Sequence, residues 1–228
     1  METNCFTMKK LTFLSLLLLL FTDVMQAQDN FANLMADLQK NNGNSKIIHM
    51  SLWLSQEFWQ AVMKNQNTLS EEQRNKMAEE LKPYSIFAVV EGNVNPFGEI
   101  EYESRDSIAA HIILTGSDGK TYQPIDNTTA SYTIQAMTSS LGPLLTKIMG
   151  NLGKNMQIFI FNDRNPQQER VCDPYRKGIF SLKTQVSEYK WRTPLGSLLP
   201  PKICPVDQEE MNGAWDFCPW HGDKLIAK

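Results

Sequence analysis

The sequence predicts an α+β protein: an immunoglobulin-like antiparallel β-sandwich, preceded by short helices and followed by a small C-terminal tail. Three observations predict it. From Tyr84 onward the apolar pattern changes from a helical period towards a period of two. About seven short β-forming stretches, separated by turn residues, follow in the region 84–199. Beyond Pro194–Pro201 the chain carries two similar turns that each begin Cys-Pro.

Composition sets the frame. The chain has 228 residues, with 22 Lys+Arg against 25 Asp+Glu and a formal charge of −3. A general nucleic-acid or anionic-membrane binder needs a basic excess, so those classes are excluded. With 42% apolar and 21% charged residues the composition is that of a globular chain. The length suits one principal domain plus a small appendage.

Taken in order, residues 1–27 read as a secretory signal peptide. Lys9 and Lys10 precede the apolar run Leu11–Phe21, and Ala27 offers a small residue at the cut, although Met25 is not small. A membrane anchor is the competing reading, but this run as a helix spans only about 16 Å, against a hydrocarbon core of about 30 Å. The cut removes Cys5 and leaves Cys172, Cys204 and Cys218. An odd number of cysteines in an exported chain permits one disulfide and a spare thiol, or a metal site.

Residues 28–83 form a helical N-terminal segment. Phe31, Leu34, Met35 and Leu38 recur at helical spacing, and Ile47–Trp53 is a short apolar stretch with strand character. Ser55 is placed to cap a helix whose Phe58, Trp59, Val62 and Met63 share one face, which reads as core packing. Ser70 and Gln73 make a capping-box pattern for a helix that ends near Lys82, before Pro83.

The sandwich region follows, over 84–199. Its expected strands are Ser85–Glu91, Gly98–Ser104, Ile108–Thr115, Lys120–Ile125, Met156–Asn162, Gly178–Thr184 and Ser187–Arg192, with Gly116–Gly119 as a hairpin turn. A helical insertion occupies 133–153, and Gly142-Pro143 is expected to break or kink it. Asp163–Lys177 reads as a long polar loop.

The tail, 200–228, holds the one constellation with chemistry in it. It reads Cys204-Pro-Val-Asp207, then ten residues, then Cys218-Pro-Trp-His221-Gly222. This spacing resembles the zinc ribbons, which carry paired C-P-x-C-G knuckles. Phe217, Gly222, Lys224 and Leu225 also stand where that pattern puts them. Two of the four positions depart from Cys, but carboxylate and imidazole both bind Zn²⁺. The resemblance therefore implies a structural zinc site of Cys204, Asp207, Cys218 and His221, with Trp215 and Trp220 as a dry shell. Gln208 replaces the glycine of the first knuckle. A Cys204–Cys218 disulfide and a degenerate ribbon without metal are competing readings.

Elsewhere the signals are weak. His49 and His111 read as packed or edge residues, Cys172 as a spare loop thiol, and Asn127-Thr-Thr129 as a glycosylation sequon relevant only in a eukaryotic secretory pathway. Hydrolase elbows, zincin helices, phosphate loops and dinucleotide glycine patterns are absent from the sequence. Outside the tail the chain resembles secreted or periplasmic bacterial proteins. The expectation is an exported, non-enzymatic binding or interaction protein. Its partner would be a protein or an envelope component, not nucleic acid, and it would have no transmembrane helix after cleavage. Two other readings stay open. One is a hydrolase built on the 163–177 loop from Asp163, Arg164, Cys172, Asp173 and Arg176. The other is a structural component of an envelope assembly.

Overall fold

The computed structural model describes residues 30–64, 70–126 and 129–228, with the backbone alone at 148. The expected leader at 1–27, Cys5 and the sequon residue Asn127 lie outside the described residues. Helix α1 (30–38) leads into β1 (Gln39–Asn41) and β2 (Ile47–Leu54). Next come α2 (Gln56–Lys64) and α3 (Glu71–Leu81), then β3 (Tyr84–Val94) and β4 (Ile100–Tyr102). A short helix α4 (Arg105–Ala109) precedes β5 (Ile113–Thr115) and β6 (Thr121–Tyr122). Helices α5 (Tyr132–Met149) and α6 (Asn151–Lys154) precede β7 (Gln157–Asn162), β8 (Gly178–Lys183) and β9 (Glu188–Thr193). The chain is thus α+β, with antiparallel sheets and a helical layer.

Local chemistry sets the helix ends. Ser55 Oγ accepts from Phe58 N (3.2 Å) at the start of α2. At α3 the capping box forms in full: Ser70 Oγ accepts from Gln73 N (3.2 Å), and Gln73 Oε1 accepts from Ser70 N (2.8 Å). The helix stops at Leu81, two residues before Pro83.

The first sheet runs β1-β2-β3-β4, with β7 pairing the first half of β3 on the side opposite β2. β2 and β3 pair along eight residues, so the N-terminal segment supplies sheet as well as helices. β3 is buried on both faces from Ser85 to Gly92, the signature of a strand covered above and below. One face carries Trp53, Phe87 and Phe159, which are register partners across β2, β3 and β7. It meets the second sheet, of order β6-β5-β8-β9, through Phe180 and Trp191. Trp53 packs edge-on to Phe180 (4.6 Å), and Phe180 stacks on Trp191 (5.2 Å). Glu91 is buried between the sheets and accepts from Tyr189 Oη (2.9 Å) and Thr184 Oγ1 (2.7 Å). The opposite face holds Leu52, Leu54, Ile86 and Ala88, which share one core with Trp59 and Met63 of α2, Leu81 of α3 and Leu141 of α5.

Two expectations are corrected. Ile108–Thr115 is not one strand. Ser104 Oγ caps Ser107 N (3.1 Å) and starts α4, so only Ile113–Thr115 is extended. Nor does Gly142-Pro143 break the insertion. α5 runs through Pro143 to Met149, with Gly150 as its C-cap. Hydroxyls along that stretch bond back to the helix, a pattern that lets it bend without breaking: Thr146 Oγ1 donates to Gly142 O (2.8 Å), and Ser139 and Ser140 donate to carbonyls four residues back.

Among the described residues no helix is long and apolar enough to cross a membrane. The tail forms a separate small sheet, β11-β10-β12, from β10 (Lys202–Ile203), β11 (Glu210–Met211) and β12 (Ile226–Ala227).

Candidate metal centre

The two halves of the tail repeat one backbone pattern at an offset of fourteen residues. In the first half Cys204 N donates to Glu209 O (3.0 Å), and Gln208 N donates to Cys204 O (3.0 Å). In the second, Cys218 N donates to Asp223 O (2.8 Å), and Gly222 N donates to Cys218 O (2.9 Å). Ile203 bridges Glu210 as Phe217 bridges Lys224. Each loop turns back through a left-handed residue four places after its Cys, Gly222 at φ 74° and Gln208 at φ 64°. Glycine adopts that conformation freely, while Gln bears a strain of about 1–2 kcal/mol. The replacement at 208 therefore leaves the turn shape unchanged.

These matched loops aim their side chains at one point. The donor atoms of Cys204, Cys218 and His221 all lie within 4.8 Å of one another, close enough to hold a metal ion. His221 Nδ1 is 3.4 Å from Cys204 Sγ and 3.6 Å from Cys218 Sγ. Asp207 flanks this trio. Its Oδ1 accepts from Glu209 N (3.0 Å), while Oδ2 stands 3.6 Å from His221 Nδ1. Bond lengths of 2.0–2.3 Å to a tetrahedral ion give donor–donor edges of about 3.3–3.8 Å, so these separations have the size of such edges. Both cysteines are free thiols, so the disulfide is not formed here.

The electrostatics fit a polar cluster under a thin apolar cover. Burial pushes the Cys204 thiol up. Burial also raises Cys218, but the N–H groups of His221 and Trp220 and the His221 ring outweigh it, and the thiol ends lower than usual. The hydrogen bond to Cys218 raises His221, with the Asp207 charge adding to it. The N–H of Glu209 holds Asp207 down. Metal ligation needs thiolate and neutral imidazole, so loading this site releases protons.

The shell is a correction to the expected one. Trp215 and Trp220 are exposed, at 45% and 76%, and do not cover the site. Met211 and Leu225 do, as the apolar partners of the two cysteines in a separate buried cluster. They are equivalent residues of the two half-tails, seven places after each Cys. That equivalence was readable in the sequence once the fourteen-residue offset is noticed.

Of the loop residues only Asp163 and Cys172 meet in the interior. Asp163 and Cys172 are buried, with Cys172 N donating to Asp163 Oδ1 (2.8 Å). Arg170 ties this pair to α2, bonding Asp163 (3.0 Å) and Glu57 (2.7 Å). Burial pushes the Cys172 thiol well up, with the Asp163 charge adding to it, so it stays a protonated thiol. Arg164 donates to Gln168 O (3.3 Å), Asp173 accepts from the N–H groups of Tyr175 and Arg176, and Arg176 pairs with Glu169 at the surface. These are the bonds of a pinned loop. His111 is exposed and His49 half-buried on β2.

Comparison of the chain with protein families, with curated proteins and with solved structures gives no match.

Proposed function

We propose that this is an exported, non-enzymatic interaction protein whose tail is a zinc-ribbon-like knob, stapled by a structural Zn²⁺ on Cys204, Asp207, Cys218 and His221. The observation that carries the reading is the pair of matched knuckles with His221 Nδ1 at 3.4 Å and 3.6 Å from two unbridged thiols. Soft sulfur and imidazole donors at tetrahedral spacing favour zinc over calcium or magnesium, which take oxygen. A set of four side chains leaves no open position for water, so the ion's role is structural. The immunoglobulin-like reading of the body rests on its two antiparallel sheets and the aromatic core between them. Export rests on the leader read at 1–27. Exposed apolar side chains on the knob, Phe217 at 61% and Trp220 at 76%, support contact with a protein or envelope partner.

Elemental analysis of purified, reduced protein tests the metal. The expected result is about one zinc per chain, lost in Cys218→Ser. Protein folded in the presence of zinc that contains none, and that yields a Cys204–Cys218 crosslinked peptide, refutes it.

A further inference from the structure

The tail does not hang free. Its inter-knuckle loop lies against the 194–201 linker so closely that a side chain at Gly196 would collide with Asn212, and one at Gly213 with Pro200 O. Beside this contact opens a cavity of about 940 Å³, walled by the body on one side and the tail on the other. That volume is the size of a small-molecule site.

Three properties of its lining define what it takes. First, it presents Tyr175 from the body and Trp215 from the tail, 53% and 45% exposed, as two flat amphipathic faces. Second, it carries uncommitted positive charge. Lys202 is bonded to Asp216, and Lys228 to Glu210. Arg192 and Lys177 are exposed, and among the described residues neither side chain has a hydrogen-bond or ion-pair partner. Arg192 projects outward from β9, because its neighbours Trp191 and Thr193 take the inward positions.

Third, the linker wall offers little to a peptide backbone. Pro194, Pro200 and Pro201 have no N–H. Leu195, Ser197, Leu198 and Leu199 already donate theirs to Pro174 O, Asp37 Oδ2, Leu195 O and Gly196 O. Strand addition, the usual way of capturing an extended peptide, therefore finds only the Gly196 N–H on this wall. A second cavity of about 460 Å³ shares Asp37, Gly196, Leu199, Pro201, Asn212 and Gly213 with the first, so the hollow continues along the junction.

We propose that the cleft between body and tail binds a carboxylated saccharide, with Arg192 and Lys177 holding its carboxylates and Trp215 and Tyr175 packing on its ring faces. A guanidinium matches a carboxylate in fork geometry, and flat aromatic surfaces accept the apolar face of a sugar ring. The site depends on the folded tail, which supplies Trp215, and not on which ion holds it.

Calorimetric titration of the full chain with trigalacturonate, maltotriose and hexaglutamate tests this. Trigalacturonate should bind, and maltotriose at least tenfold more weakly. Binding should fall at least tenfold in Arg192→Ala/Lys177→Ala, and likewise in Trp215→Ala. All of these are surface changes, and unchanged circular dichroism verifies their folding. Trp220→Ala, on the knob but outside the cleft, should bind as the parent does. Absence of trigalacturonate binding, binding unaffected by both cleft variants, or equal binding of maltotriose overturns the proposal. Equal binding of hexaglutamate with the same residue dependence also overturns it, in favour of an acidic-peptide site. Zinc content measured on the same samples separates this result from the metal reading, since each can fail alone.

Discussion

Trp191 and Cys204 are equally hidden from solvent, both at 0% exposure, but for different reasons. Trp191 sits in a core that joins two sheets and a helical layer, stacked on Phe180 and donating its indole N–H to Leu38 O (2.8 Å). Cys204 sits in a cluster with only Met211, Cys218 and Leu225. Ordering a residue costs on the order of 1–2 kcal/mol of backbone entropy. Four modest side chains do not offset that over a tail of this length. The body reaches stability by area, whereas in the tail the proposed ion would supply a crosslink through its polar centre.

The largest expected effect tests the body. Trp191→Ala should cost about 3–5 kcal/mol in urea denaturation, by removing a fully buried indole from the contact between the sheets. A loss under about 1 kcal/mol would mean the aromatic layer is not what joins them. Next comes the crosslink. His221→Ala, or chelation of the parent protein, should abolish amide-exchange protection in β10–β12 and leave the main unfolding transition within about 0.5 kcal/mol. Joint collapse of both regions would break the comparison, because the tail would then be part of the body's cooperative unit. The smallest effect refines the tail. Gln208→Gly relieves a left-handed non-glycine residue and should stabilise the first knuckle by about 0.5–1 kcal/mol. It reads out as roughly two- to fivefold slower exchange at Cys204 and Glu209.

Much of the body was legible because its signals are local. The capping box at Ser70 and Gln73 translates directly into bonds, and the strand read over Ser187–Arg192 into β9. The strand read over 108–115 failed where two local codes compete. β-branched Ile112 and Ile113 favour extension, but the Ser104 cap commits the chain to a helical turn first. Pro143 misled because its cost falls on one missing donor on the exposed face of α5, while Leu141 and Leu145 anchor the buried face. The Cys204–Cys218–His221 cluster was legible as spacing, since each Cys and the residue three places on share one tight loop. The tail's cover was not, because Trp215 and Trp220 look like the larger apolar resource while backbone geometry points Met211 and Leu225 inward. The cleft was beyond reach. Tyr175, Arg192 and Trp215 are far apart in sequence, and only the docking of Asn212 and Gly213 on the linker brings them to one cavity.

The distribution of thiols turns this division into a built-in pair of reporters. Cys172 lies in the body's core, and Cys204 and Cys218 lie at the centre of the tail. An alkylating reagent that meets the chain once the tail has opened gains two reactive positions, while the third stays shielded until the sheets themselves part. Counting labels per chain by mass thus times two separate opening events in one sample, without a fluorophore or any added cysteine.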